Sequence, residues 1–228
     1  MSSYYCTCAS LACLECRSRT QRSVAAEAER LFKDCDRPIL LTVVPQNGIL
    51  KWPPTGGFEL RSFSKRGREK ISSCLTGPMH FLGEVDFSLN LEPSGFKCLS
   101  AHFHCITSRP LSSVELKRLK AKFRRDPSKH IYFPVKEKPI REGDLRSVGE
   151  YCCKTFYTKR SSFIAQPQNS NRNPYRDGED QSLSAKEDAM LRLFLSENEV
   201  CDPFLSGGLK RVRTSDPAEV RLMLTTKK

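Results

Sequence analysis

The chain has 228 residues, of which 38 are Lys or Arg and 26 Asp or Glu, a formal net charge of +12. That length holds one sizeable domain plus appendages, and the basic balance favours a polyanionic partner, nucleic acid or an acidic membrane surface. No apolar run approaches the roughly 20 residues of a membrane-spanning helix, and 11 cysteines, an odd number without a secretory leader pattern, argue against a disulfide framework and for a reducing, cytoplasmic setting.

Four of the cysteines, Cys6, Cys8, Cys13 and Cys16, lie close together at the start. Cys13 and Cys16 have the Cys-x2-Cys spacing of a zinc knuckle, and Cys6 and Cys8 offer two further thiolates for a tetrahedral structural site. Cys35 or a histidine can stand in for one of them, and four free thiols are the plain alternative. Residues 20–34 predict a helix, with Val24, Ala25, Ala28, Leu31 and Phe32 on one face. Pro38 ends it, and 39–44 is a buried strand by its β-branched and apolar content. The turn-rich stretch 46–57 carries Trp52, placed either to stack on a base or to pack beneath the loop. Arginines and lysines then alternate with phenylalanines over 58–74, a pattern that suits a nucleic-acid backbone or an ordinary solvated face. Residues 81–91 predict a strand, with Glu84, Asp86 and Ser88 on one side and Val85, Phe87 and Leu89 on the other. Pro93, Ser94 and Gly95 make the turn back.

The returning strand holds Ala101-His102-Phe103-His104-Cys105-Ile106. Alternation puts His102 and His104 on one face, about 7 Å apart along the strand, where two neutral imidazoles can share one divalent metal. A half-exposed polar face without a ligand fits the same pattern. Residues 110–125 predict a helix that opens with a Ser112–Glu115 capping box; Leu116, Leu119 and Phe123 form its core stripe, and Lys117, Arg118, Lys122 and Arg125 stand on a basic outer face suited to DNA. A strand over 130–135 leads to a helix over 144–158, capped by Asp144, in which Leu145, Val148, Cys152 and Phe156 form one stripe. Tyr151 and Lys154 are neighbours at i, i+3 on its flank, a phenol beside an ammonium that favours phenolate character and meets a phosphate. Tyr157 is the alternative nucleophile, with Arg160 as its cation. The Asn/Gln/Pro-rich run over 161–183 predicts a polar linker. Residues 184–228 predict a short helical basic tail whose helix is capped by Ser184 and Glu187. No Gly-x4-Gly-Lys-Ser/Thr occurs, so the chain has no helicase of its own.

His-hydrophobic-His on a strand, then Tyr-x-x-Lys on a later helix, resembles the HUH endonucleases. It resembles most the single-tyrosine initiators of rolling-circle replication; Ile39-Leu40-Leu41-Thr42-Val43-Val44-Pro45 looks like their earlier Leu-Thr-x-x-Pro strand. The likeness covers 37–160. It implies an α+β fold with a central antiparallel sheet and flanking helices, preceded by a Cys-rich zinc segment over 1–36. It also implies Mg2+ or Mn2+ on His102, His104 and a third ligand from the paired strand, Glu84 first and Asp86 in reserve. Tyr151 would attack a phosphate of single-stranded or origin DNA to leave a 5′-phosphotyrosine, with Lys154 assisting, and a host helicase and polymerase would complete replication. An HUH transposase or relaxase, and a non-catalytic zinc-dependent DNA-binding protein, are the competing readings.

Overall fold

The structure, a computed structural model, describes residues 8–165 and 175–225. In chain order the elements are α1 (Leu14–Phe32), β1 (Ile39–Val43), β2 (Ile49–Lys51), α2 (Leu60–Ser72), β3 (Phe81–Leu91), β4 (Lys97–Thr107), α3 (Ser113–Lys122), β5 (Val135–Pro139), α4 (Leu145–Cys152), β6 (Thr158–Ala165), β7 (Tyr175–Ser182), α5 (Ala185–Leu195), β8 (Phe204–Gly207), β9 (Leu209–Val212) and β10 (Arg221–Leu224). The fold is α+β. Its main sheet runs β5-β1-β4-β3-β6-β7, with β2 beside β4 and β8 beside β3.

The two 11-residue strands β3 and β4 form the centre, joined by a tight turn in which Gly95 adopts φ +82, a conformation open to glycine. Their register sets Glu84 opposite His104 and Asp86 opposite His102. On the other flank Thr42 of β1 pairs with His104 and with Lys136 of β5. Side chains directly opposite each other share a face, so Glu84, Asp86, His102, His104, Thr42 and Lys136 all belong to one side of the sheet. Phe103, between the histidines in sequence, points the other way and is 1% exposed. Burying such a ring is worth roughly 1.5–3 kcal/mol, and a slip of one residue would forfeit it, so the core on the far side fixes which way the histidines point.

The sheet is mixed rather than wholly antiparallel, because β6 joins β3 in parallel. The chain crosses through α3, β5 and α4 before reaching β6 and enters the sheet from the same end as β3. Each face carries helices. Phe63 and Ile71 of α2, Leu119 of α3 and Leu191 and Leu195 of α5 pack with Val85, Phe87, Leu99 and Phe103 on one side. Val24, Ala28 and Phe32 of α1 and Cys152 of α4 pack with Leu82 and Ile106 on the side that bears the histidines. α1 and α4 meet closely at Gly149, where a Cβ would stand 2.8 Å from the Ala25 Cα.

Both capping boxes form as expected, at Ser112–Glu115 and Ser184–Glu187. Three expectations need correction. The helix over 144–158 stops at Cys152, because the chain must turn to enter β6. The polar run over 161–183 is no plain linker: β6 and β7 pair along it as an antiparallel hairpin. The region 184–228 is no appended helical tail either, since β8 pairs with β3 in the main sheet and β9 and β10 form a small sheet of their own. Among the described residues no helix is long and apolar enough to cross a membrane.

Candidate metal and nucleophile site

His102 and His104 are oriented by their Nδ1 atoms. His102 Nδ1 lies 3.2 Å from the Ser100 carbonyl oxygen, which can only accept, so this nitrogen carries the proton. His104 Nδ1 lies 3.0 Å from the Thr42 hydroxyl. Both Nε2 atoms are thereby turned towards each other, 3.0 Å apart, and each is 3.5 Å from Asp86 Oδ2. Anchoring of one ring nitrogen by a hydroxyl or carbonyl while the other converges with a carboxylate is the usual arrangement around a bound metal. Two imidazole nitrogens this close, beside a carboxylate oxygen, would be able to hold one divalent cation between them. The ligand atoms of Asp86, His102 and His104 lie within 4.8 Å of one another, so the donor set fits a divalent cation.

The electrostatics agree with that use. Burial pushes His104 down to about 4, which keeps its ring neutral and able to ligate. Burial alone would raise the Asp86 carboxyl, but the adjoining imidazoles of His102 and His104 and the charge of Lys154 hold it well below the usual carboxylate range. Asp86 Oδ1 accepts the Phe87 amide at 2.9 Å, and Oδ2 accepts Lys154 Nζ at 2.6 Å. Lys154 is itself partly buried, which works to discharge it, yet the neighbouring carboxylate more than reverses this and keeps the ammonium.

Tyr151, near the end of α4, sets its ring 4.8 Å from that of His104, and the Lys154 ammonium stands 4.4 Å from the centre of the phenol. Tyr151 is 43% exposed, so the phenol beside His104 is accessible to solvent. Burial raises the phenol and Lys154 opposes the rise. The three side chains meet although Lys154 has left the helix; its backbone is held from beneath, where the Arg17 guanidinium donates to the Lys154 carbonyl.

No family model matches the chain, and neither a curated protein nor a solved structure does.

Arg17 also distinguishes the two carboxylates weighed as third ligand. Glu84, preferred from the sequence, is 0% exposed and takes Arg17 Nη1 on Oε1 at 2.5 Å. It lies on the right face but is committed to α1, and Asp86, the reserve, closes the triad. Burial pushes the Glu84 carboxyl up, against the pull of Arg17. Tyr157, the alternative nucleophile, is 6% exposed; it packs edge-on to Phe87 in the core of the opposite face, and burial pushes its phenol up to about 12. The exposed basic residues Lys117, Arg118, Lys122 and Arg125 are not brought to the triad: α3 and its C-terminal Phe123 pack on the other side of the sheet, against Phe103.

At the start of α1 the sulfurs of Cys8, Cys13 and Cys16 lie within 4.8 Å of one another, with Cys8 and Cys16 3.7 Å apart. Three convergent thiols suit a soft cation such as zinc, which takes four ligands in structural sites. Cys6 falls outside the described residues. Arg17 stands in the Cys13-Leu14-Glu15-Cys16-Arg17-Ser18-Arg19 stretch, which looks like the Cys-x-x-Cys followed by arginines of bacterial rolling-circle initiators, but its tie to Glu84 is not legible there, nor is the part of Thr42 in the Leu-Thr-x-x-Pro segment.

Proposed function

We propose that the protein is a metal-dependent DNA strand transferase of the HUH kind, an initiator of rolling-circle replication that cuts single-stranded or origin DNA with Tyr151. The observation that carries this reading is the convergence of Asp86, His102 and His104 within 4.8 Å, with the Tyr151 ring 4.8 Å from His104. Mg2+ or Mn2+ is the cation that this mixed oxygen and nitrogen set would take, and when bound it supplies Lewis-acid polarisation of the scissile phosphate. Asp86, His102 and His104 would hold it, and Thr42 and Ser100 keep the two rings aimed. Tyr151 Oη forms a bond to phosphorus and the bond to the 3′ oxygen breaks. The phenolic proton leaves to solvent, and the departing oxygen takes up a proton to become a 3′-hydroxyl. The ester left on Tyr151 retains the energy for rejoining. Lys154, held ionic by Asp86, offsets negative charge at the phosphate.

Two converging histidines, without a third, favour an initiator over a relaxase. Zn2+ on the cysteine cluster would have a structural part. A host helicase and polymerase would act on the opened DNA in the cytoplasm. Purified protein with a randomised single-stranded 20-mer and Mn2+ should form a covalent adduct, and Tyr151→Phe should abolish it. Adduct formation that survives Tyr151→Phe overturns the assignment. Binding without any adduct, insensitive to Asp86→Asn, favours a zinc-dependent DNA-binding protein instead.

A further inference from the structure

On the face of the sheet that carries the triad, α1 and α4 pack over Leu82 and Ile106. β5 is the edge strand on this side. Its register puts Lys136 level with Thr42 and Lys138 level with Leu40, so both lysines belong to the triad's face, and both are exposed. The intervening Glu137 faces the other way, where it accepts the Leu111 amide at 3.1 Å. Two strand spacings of about 4.8 Å separate the backbones of His104 and Lys136. Just before β5, the Pro134 carbonyl accepts the Val44 amide at 2.8 Å, which anchors the chain next to Phe133. Phe133 is 71% exposed, more than any other described phenylalanine, and the Lys136 ammonium lies 5.4 Å from its ring centre.

We propose that Phe133, with Lys136 and Lys138, forms a binding strip on which one base of a single strand stacks while its neighbouring phosphates meet the two ammonium groups. An aromatic ring flanked by cations, open on one face, is what sequence-tolerant recognition of single-stranded nucleic acid requires. Lys136, the inner end of the strip, stands two strands or about 10 Å from His104, a span of up to about three nucleotides at 3.4 Å or more each, so a strand held on Lys136 can reach the triad. Lysines on an edge strand also block strand pairing between molecules, but that role gives no reason to hold a phenylalanine ring in solvent. The strip rests on reading the triad as a nuclease centre, and it supplies the DNA contact near the triad that α3 does not.

The test measures binding without chemistry. The full chain in a metal chelator is titrated into a labelled, randomised single-stranded 20-mer and, separately, a duplex of the same length, followed by anisotropy. Phe133→Ala should weaken single-strand binding on the order of tenfold and leave duplex binding unchanged. Phe133→Trp should keep the affinity and show quenched emission on binding. Lys136→Ala with Lys138→Ala should lower the salt dependence by about 1.4, at about 0.7 per phosphate contact on a single strand. Wild-type affinity in Phe133→Ala, equal loss on single strand and duplex, or no single-strand binding by the wild type overturns the strip. Its failure and that of the nuclease reading separate cleanly. A Phe133-dependent affinity without any Tyr151 adduct in Mn2+ keeps the strip and sinks the nuclease, and an adduct with no Phe133 effect does the reverse.

Discussion

Two carboxylates stand two residues apart on β3, on the same face, each opposite a histidine of β4, and the structure uses them in opposite ways. Glu84 lies under α1, sealed from water and tied to Arg17. Asp86 is buried too, but it is shared between His102, His104 and Lys154. What separates them is the layer above. An arginine delivered from α1 commits one carboxylate to holding the fold; the other, buried as well, is left to two imidazoles and an ammonium. The same contrast holds for the two tyrosines: Tyr151 is open beside the triad, while Tyr157 is enclosed on the far side of the sheet. Position in the fold, more than residue type, decides which partners each group meets.

The sharpest break of that comparison removes the cover's charge. Arg17→Met strands a carboxylate in the core and also frees the Lys154 carbonyl, so it should cost about 3–5 kcal/mol in urea unfolding. Arg17→Met combined with Glu84→Leu should recover most of the loss, because replacing a buried pair with apolar groups is often neutral. If the single variant is as stable as the wild type, Glu84 is not the structural member of the two. On the other side, His104 gives a pH signature. Its folded value of about 4 lies below the ordinary 6.5, so between those values the unfolded chain binds the extra proton and stability falls as pH drops. The gap, at about 1.4 kcal/mol per pH unit, amounts to about 3 kcal/mol. Chelator-treated protein unfolded in urea at pH 7.5 and 4.5 should show this loss, and His104→Gln should remove most of the difference.

Much of the site was legible because period-2 alternation is a local signal. It set His102 and His104 on one face and Glu84, Asp86 and Ser88 on another strand's matching face. Alternation could not choose between Glu84 and Asp86, since both satisfy it; the choice depends on Arg17, 67 residues away from Glu84 in sequence. The end of α4 was hidden for a similar reason. Phe156 continued the apolar stripe, yet it is 61% exposed once the chain turns at Cys153. The β6–β7 hairpin carries few apolar residues because it extends the sheet at an edge, where alternation has little core to face. The two capping boxes were read correctly, since they are complete within four residues.

The smallest expected effect concerns the two tyrosines themselves. The Tyr157 hydroxyl is buried, with no hydrogen-bond partner among the described residues. A buried hydroxyl without a partner costs folding free energy, so Tyr157→Phe should leave stability unchanged or raise it by up to about 1 kcal/mol. Adduct formation should be untouched. Tyr151→Phe should likewise change the unfolding midpoint by no more than about 0.5 kcal/mol, its ring being 43% exposed, while removing the adduct altogether. The pair thus separates enclosure from reactivity with a single oxygen atom deleted in each case. Loss of the adduct in Tyr157→Phe at full stability would mean that the enclosed phenol, not the open one, reaches the phosphate, and the division of the sheet into a structural and a chemical face would fail.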